Sequence, residues 1–274
     1  MSGVLELSAS YANFMLRPRP GPEVCAHCFD LTGGGTRCRH CSDDRSFVDA
    51  MTAVSYSVGG EQLHHALAGY KRYVGTPGRY FTAGLAAVLW RHLDDHETCL
   101  ARAAGVEAFD LVTTVPSSDA RRDATHPLHG LVGELIKPIR PRYARLLRRT
   151  DTCVTAHRFH AERYAATADL RARTVLLIDD TWTTGANAQS AAAALKTAGA
   201  ERVAALVIGR YVNREWGHND RQLRRLSVPF DWNRCAVSGH SGTCTNGDAG
   251  SHGSAGGNGD AGSHGSAGDA GDGR

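Results

Sequence analysis

The chain has 274 residues, enough for one large domain or two small ones. Its hydrophobic fraction of 42% and charged fraction of 22% are typical of a globular protein, and a net charge of +3 does not by itself indicate nucleic-acid binding. The first 17 residues lack the apolar core of a secretory signal peptide, and no segment has the apolar length of a membrane span. We therefore expect a cytoplasmic protein without membrane contacts, whose eight cysteines stay reduced.

Two Cys-x-x-Cys pairs separated by nine residues mark the first region, residues 1–49. Four thiolates fit one tetrahedral ion, and three consecutive glycines between the pairs let the chain reverse sharply. The spacing predicts a structural Zn²⁺ site in a small ribbon; an iron–sulfur cluster and a metal-free redox dithiol are the alternatives. The predicted ligands are Cys25, Cys28, Cys38 and Cys41.

The next two regions predict helices followed by an α/β domain. Residues 50–105 are expected to be largely helical and to pack on the core, because apolar residues recur there at helical spacing. Residues 106–245 alternate predicted strands and helices, which favours a parallel sheet flanked by helices. Residues 246–274 repeat a Gly, Ser, Asp and His segment and are expected to form a disordered tail.

The third region contains a predicted buried strand, two carboxylates, a turn rich in threonine and an alanine-rich helix. Asp179 and Asp180 follow four apolar residues and so come at the carboxyl end of the strand, where open α/β sheets bind ligands. The turn offers amides and hydroxyls, and the helix N-terminus favours phosphate. Because carboxylates repel phosphate, we expect them to face sugar hydroxyls. In the alternative interpretation, the aspartates and threonines only cap the helix, or the acidic pair binds Mg²⁺.

This segment resembles the phosphoribosyl-pyrophosphate (PRPP) motif of type I phosphoribosyltransferases. The resemblance implies that the catalytic pair, Asp179 and Asp180, holds the ribose hydroxyls. It also implies that the turn wraps the 5′-phosphate with Thr181, Trp182, Thr183, Thr184 and Gly185.

With the cysteine ribbon ahead of this motif, residues 25–212 look like the ComF family, competence-protein homologues described as amidophosphoribosyltransferase-like. That resemblance implies a type I phosphoribosyltransferase fold, an N-terminal zinc ribbon and Mg²⁺ bound with PRPP. It places a pyrophosphate-binding loop at Pro116, Ser117 and Ser118, with Arg121 and Arg122 nearby. Serine caps and solvated arginines are the alternative reading of this loop.

The family pattern is incomplete in two places. Residues 123–127 stand where many relatives have Arg-Gly-Phe-Asn, and the segment through His157, Arg158 and Tyr164 is less familiar. In phosphoribosyltransferases such a segment can be a mobile loop that closes over PRPP, and the resemblance implies that role here by analogy. The acceptor is therefore not defined by the resemblance. Cys99 and Cys153 are isolated and are expected to be buried or unreactive thiols, while Cys235 and Cys244 lack the spacing of a metal-binding pair.

The sequence thus predicts transfer of a phosphoribosyl group from PRPP to an unknown acceptor with release of pyrophosphate. The alternative is a non-enzymatic competence or DNA-handling factor that uses the pocket to sense PRPP or a nucleotide. Residues 119–173 contain twice as many Lys and Arg as Asp and Glu, which would suit single-stranded DNA or a helicase partner, or a solvated basic surface. Nucleobase salvage and homo-oligomer formation are also compatible with the sequence.

Overall fold

A four-stranded parallel sheet lies at the centre of the structure, a computed structural model that describes residues 2–42, 46–117, 123, 125–226 and 229–238. The strand order is β1-β6-β5-β2, with every neighbouring pair parallel. A separate antiparallel hairpin pairs β3 with β4. The strands are β1 (Ala50–Val58), β2 (Leu111–Thr114), β3 (Leu147–Arg149), β4 (Tyr164–Ala166), β5 (Thr174–Trp182) and β6 (Arg202–Val212).

Helices cover both faces of this sheet, so the predicted α/β class with a parallel sheet is confirmed. The α2 face of the sheet packs against α2, α3 and α4, and the α5 face packs against α5 and the four cysteines. A π-helical turn over Leu131–Leu135 continues α4, and 3₁₀ turns cover Ser10–Asn13 and Lys137–Arg142. The helices are α1 (Ser2–Ala9), α2 (Gln62–Arg72), α3 (Gly75–Ala103), α4 (Pro127–Gly130), α5 (Ala186–Thr197) and α6 (Asn219–Leu226).

The region predicted to be largely helical begins instead with a strand. Residues 50–58 form β1, an edge strand in which all nine residues are buried. Ala53 packs on the α5 face and Val54 on the α2 face, so both sides of the strand are covered. A strand buried on both sides lacks the alternation of a half-exposed strand, which explains why its pattern was not distinctive. The helical prediction holds for α2 and α3.

The chain leaves the carboxyl ends of β2 and β5 toward opposite faces of the sheet. After β2 it forms α4, whose Leu128 packs on the α2 face; after β5 it forms α5, whose Ala191 packs on the α5 face. The two strands are neighbours, and the Val115 amide donates to the Ile178 carbonyl at 3.0 Å just beyond β2. Such a divergence creates a crevice at the carboxyl ends of the strands, the usual ligand site of open α/β sheets.

No helix in the described ranges is both long enough and apolar enough to cross a membrane. The predicted tail, residues 246–274, lies outside the described residues.

Candidate functional site

The acidic pair lies within β5 and not after it. The strand was expected to end at Ile178, but it continues to Trp182 because Thr181 and Trp182 pair with β6. Since successive side chains of a strand point to opposite faces, the two carboxylates diverge. The crevice therefore presents them in different surroundings.

Asp180 points to the α2 face and is 3% exposed. Its Oδ1 accepts a hydrogen bond from Lys71 Nζ at 2.8 Å, and its Oδ2 accepts one from the Tyr70 hydroxyl. Burial alone would raise the pKa of Asp180, but the Lys71 charge and the hydrogen bonds from Lys71, Tyr70 and Thr181 outweigh it and hold the pKa below its usual range. Asp180 is thus an ionised carboxylate with a partner on each oxygen.

Asp179 is the more accessible member of the pair. It is half-buried, and its Oδ1 accepts the Asp180 amide at 2.9 Å. Burial and the neighbouring charge of Asp180 raise the pKa of Asp179 above the usual carboxyl range. The crevice therefore holds one carboxyl group that is easily ionised, Asp180, and one that resists ionisation, Asp179.

This raised pKa predicts that Asp179→Asn stabilises the fold at neutral and higher pH. An acid with a raised pKa in the folded state stabilises the protein below its unfolded pKa, and this contribution is lost as pH rises through the folded pKa. Asparagine does not ionise, so the variant avoids this loss in the free energy of unfolding, which is about 1.4 kcal/mol for each unit by which the pKa is raised. Its side-chain oxygen can still accept the hydrogen bond from the Asp180 amide. Urea unfolding at pH 4, 6 and 8 should show a gain that grows with pH. Asp169→Asn, at an exposed carboxylate, should show no such gain, and a gain independent of pH would contradict the assignment.

The turn that follows, here called the threonine turn (residues 181–185), depends on a glycine. Gly185 has φ +81°, and a Cβ there would lie 2.3 Å from the Trp182 ring. The Thr184 hydroxyl donates to the His157 carbonyl at 3.2 Å and accepts the Ala186 amide at 3.3 Å. The turn thus delivers the chain directly into the N-terminus of α5.

Trp182 differs from its predicted role in binding phosphate. Its side chain is 2% exposed and packs in the core of the α5 face, with the His27 ring 6.4 Å away. Thr181, Thr183 and Thr184 are partly exposed, as a binding turn requires.

A covering loop, residues 150–163 between β3 and β4, lies over the start of α5. The His160 amide donates to Ser190 Oγ at 3.0 Å, and Phe159 stacks on Phe47 at 5.3 Å. Buried Arg163 donates to two carbonyls of the same loop, which fixes its course. The loop therefore closes the crevice on the side of the threonine turn.

The predicted pyrophosphate loop begins beside the acidic pair, since β2 and β5 are adjacent. The Ser117 amide donates to Asp123 Oδ1 at 2.7 Å, and Arg145 Nη2 lies 2.8 Å from Asp123 Oδ2. The amide that was expected to bind pyrophosphate is thus already hydrogen-bonded to a carboxylate. At the preceding residue, the Tyr164 hydroxyl donates a hydrogen bond to the Pro116 carbonyl at 3.3 Å. Three other predicted residues lie outside the described residues: Ser118, Arg121 and Arg122.

The four predicted cysteine ligands form a buried cluster. Their sulfur atoms all lie within 4.8 Å of one another, with Cys28 Sγ and Cys38 Sγ 3.6 Å apart. Two thiolates on one tetrahedral Zn²⁺ lie about 3.8 Å apart when Zn–S is about 2.3 Å, so the cluster fits such an ion. The other thiols, above all Cys28, hold the pKa of Cys25 well below its usual range. The expected reversal between the pairs is present, because Gly33, Gly34 and Gly35 all have positive φ.

Sequence reasoning missed the residue that joins this cluster to the acidic strand. Arg210 on β6 is 2% exposed; its Nε donates to the Cys28 carbonyl at 2.9 Å and its Nη1 to the Trp182 carbonyl at 3.3 Å. Its Nη2 also forms an ion pair with Asp30 at 2.7 Å. An arginine near the carboxyl end of an apolar strand was the available signal, since such a charge needs buried partners.

A second link reaches the first turn of α5. Gln189 Oε1 accepts hydrogen bonds from the amides of Phe47 and Val48 at 2.8 and 3.2 Å, so the segment after the cysteines is bonded to the helix that follows the threonine turn. The cysteine cluster therefore supports both ends of this turn.

Among the described residues, groups of three or more metal-ligating side chains occur only at two cysteine-containing sites. Within the described part of the chain, the acidic pair therefore belongs to no such group of ligating side chains. Comparison with known proteins adds no identity: no model of a known protein family matches the sequence, and no curated protein matches it.

Proposed function

We propose that the protein binds PRPP at the carboxyl edge of the sheet, as a type I phosphoribosyltransferase related to the ComF proteins does, and transfers its phosphoribosyl group. The observation that carries this proposal is the arrangement at the divergence of β2 and β5. There an accessible carboxylate, Asp179, adjoins a turn that only glycine permits and the N-terminus of a 12-residue helix. Carboxylates suit ribose hydroxyls, and helix N-termini suit phosphate.

In this proposal the threonine turn holds the 5′-phosphate through the amides of Thr183, Thr184 and Gly185 and the threonine hydroxyls. Asp179 accepts a ribose hydroxyl, and Asp180, anchored by Lys71, keeps the strand end in place and adds negative potential near the anomeric carbon. Negative charge there favours an oxocarbenium-like ribose. Asp179 ionises as it accepts hydrogen bonds from the sugar, so PRPP binding at neutral pH releases a proton.

Pyrophosphate would leave toward the loop after β2. Asp123 must release the Ser117 amide for this, which would also uncover Arg145 as a cationic partner for the departing charge. Mg²⁺ entering with PRPP would supply further charge neutralisation. The covering loop would exclude water, which competes with the acceptor for the ribose.

The cysteine cluster is proposed to hold a structural Zn²⁺. Four protein thiolates leave no position open for a reacting water, and Arg210 and Gln189 link the cluster to the threonine turn. The ion would thus order the pocket and take no part in the transfer.

The basic stretch gives little support to the alternative of a nucleic-acid-binding factor. Several of its arginines are already engaged: Arg142 pairs with Glu97 at 2.6 Å, Arg145 with Asp123, and Arg163 with loop carbonyls. Charges used within the fold contribute less to a phosphate-binding surface.

Calorimetric titration with PRPP and Mg²⁺ tests the proposal. Wild-type protein should bind PRPP in a Mg²⁺-dependent manner, and Asp179→Asn should weaken binding at least about tenfold, the loss of one charged hydrogen bond. Asp169→Asn is the matched control, because Asp169 is exposed and forms its ion pair with its neighbour Arg171, and it should bind normally. Equal affinity in wild type and Asp179→Asn would refute the role of Asp179.

Turnover is tested by pyrophosphate release from PRPP in the presence of bases, amides and amines. Release with one acceptor identifies the transferase reaction. Tight PRPP binding without release with any acceptor would instead favour the sensing role.

A further inference from the structure

A second group of metal-ligating side chains lies between α3 and the last described segment, residues 229–238. One ligand atom from each of His96, Cys99 and Cys235 lies within 4.8 Å of the others. All three residues are buried, with exposures of 2%, 6% and 2%. The group shares no residue with the four-cysteine cluster or the acidic pair, so neither site explains it.

The hydrogen bonding of His96 leaves one nitrogen in the form that binds metals. Its Nε2 lies 2.7 Å from the Trp232 carbonyl. A carbonyl only accepts, so Nε2 carries the proton and Nδ1 has the lone pair. Nδ1 is buried and has no hydrogen-bond partner within the described part of the chain. Metal-binding histidines usually have this arrangement: one ring nitrogen donates to a backbone carbonyl, and the lone pair of the other nitrogen binds the metal.

The backbone around Cys235 repeats the backbone around Cys25. Residues 231–238 and residues 21–28 show the same succession of two turn residues, a bridge residue, the cysteine and a three-residue turn. The Ser238 amide lies 3.4 Å from Cys235 Sγ, in the position of a donor to a thiolate. Cys235 thus has the local conformation of a cysteine in the first cluster.

We propose that His96, Cys99 and Cys235 bind a second zinc ion in the reduced protein, with the fourth position taken by water or another donor. The expectation that all eight cysteines stay reduced is wrong for Cys99, which belongs to a disulfide. A dithiol reductant must therefore first supply two electrons and two protons to this disulfide, which gives two thiols and the oxidised reductant. Zinc then displaces the thiol protons of Cys99 and Cys235. The nitrogen and sulfur donors match those that zinc prefers.

The second ion would join the last described segment to the middle of the fold. His96 and Cys99 lie on α3, and Cys235 follows Trp232, whose ring lies 4.3 Å from the Arg91 guanidinium. The apolar contacts of this segment are few, since beside Cys235 its buried or partly buried apolar residues are Phe230, Trp232, Ala236 and Val237. A metal bond would supply the stability that such a short segment lacks.

The zinc content of the full chain, purified with a thiol reductant, tests the proposal directly. Wild-type protein should carry about two zinc ions per chain, one in each cluster. Cys235→Ser should carry about one, and Cys153→Ser, at an exposed cysteine outside both clusters, should keep about two. About one ion per wild-type chain would overturn the proposal.

Thiol alkylation of the wild-type protein gives a test that does not depend on the folding of a variant. In the reduced, zinc-loaded protein, Cys99 and Cys235 should resist iodoacetamide until a chelator is added, whereas exposed Cys153 should react at once. Equal alkylation of Cys99 and Cys235 with and without zinc, or a Cys99 disulfide that persists in the reductant, would also overturn the proposal.

Discussion

Lys71→Met is expected to destabilise the fold by about 2–4 kcal/mol, because it removes the cation that compensates a buried carboxylate. Asp180 is 3% exposed, and Lys71 Nζ lies 2.8 Å from its Oδ1. Lys71 itself is 39% exposed, so solvent screens part of the pair and the expected loss falls below that of a fully buried ion pair. Urea unfolding at pH 7 measures the change.

Two comparisons separate the buried charge from the loss of a side chain. Lys71→Met combined with Asp180→Asn should recover much of the lost stability, because no buried charge is then left unpaired. Arg171→Met breaks an exposed ion pair with Asp169 and should cost much less than Lys71→Met, because solvent screens the exposed pair. If Lys71→Met lowers the free energy of unfolding no more than Arg171→Met does, the buried charge of Asp180 does not need Lys71 as its partner.

Gly185→Ala is expected to cost about 2–5 kcal/mol and to abolish PRPP binding. A left-handed φ costs a residue with a side chain about 1–2 kcal/mol, and the clash of a Cβ with the Trp182 ring adds a further cost of about 1–3 kcal/mol. Trp182 is held in the core, so the turn must move instead, which displaces the amides of the threonine turn. Urea unfolding and PRPP titration measure the two effects.

Gly60→Ala provides the matched control for this substitution. Gly60 has φ +79°, close to that of Gly185, but a Cβ there meets no atom within 4 Å. It should therefore cost only about 1–2 kcal/mol and leave PRPP binding intact. Equal costs at the two glycines would show that the contact with Trp182 is unimportant.

Features that depend on local sequence patterns were predictable from the sequence. The four cysteine ligands were identifiable because their spacing alone places two thiols on each turn, and Gly185 because it stands between a strand and a helix. The apolar faces of α2 and α3 were also predicted, since helical periodicity places Leu63, Tyr70 and Leu89 on buried sides.

Contacts between distant segments were not predictable in this way. Tyr70 and Lys71 reach Asp180 across about 110 residues of sequence, and Arg210 reaches Cys28 across 182. Which charged group meets which buried partner depends on how the helices pack, and that is not encoded in a local pattern. The same limit hid the group around Cys235, although His96 and Cys99 have a spacing that places both on one face of a helix.

A crystal structure of the protein with PRPP and Mg²⁺ tests the central claim most directly. The account predicts the 5′-phosphate within hydrogen-bond distance of the Thr183, Thr184 and Gly185 amides, and a ribose hydroxyl bonded to Asp179. Asp123 should have released the Ser117 amide to make room for pyrophosphate. The assignment of this site would be contradicted if PRPP bound elsewhere on the protein. It would also be contradicted if saturating PRPP gave no binding in solution and left the crevice empty in the crystal.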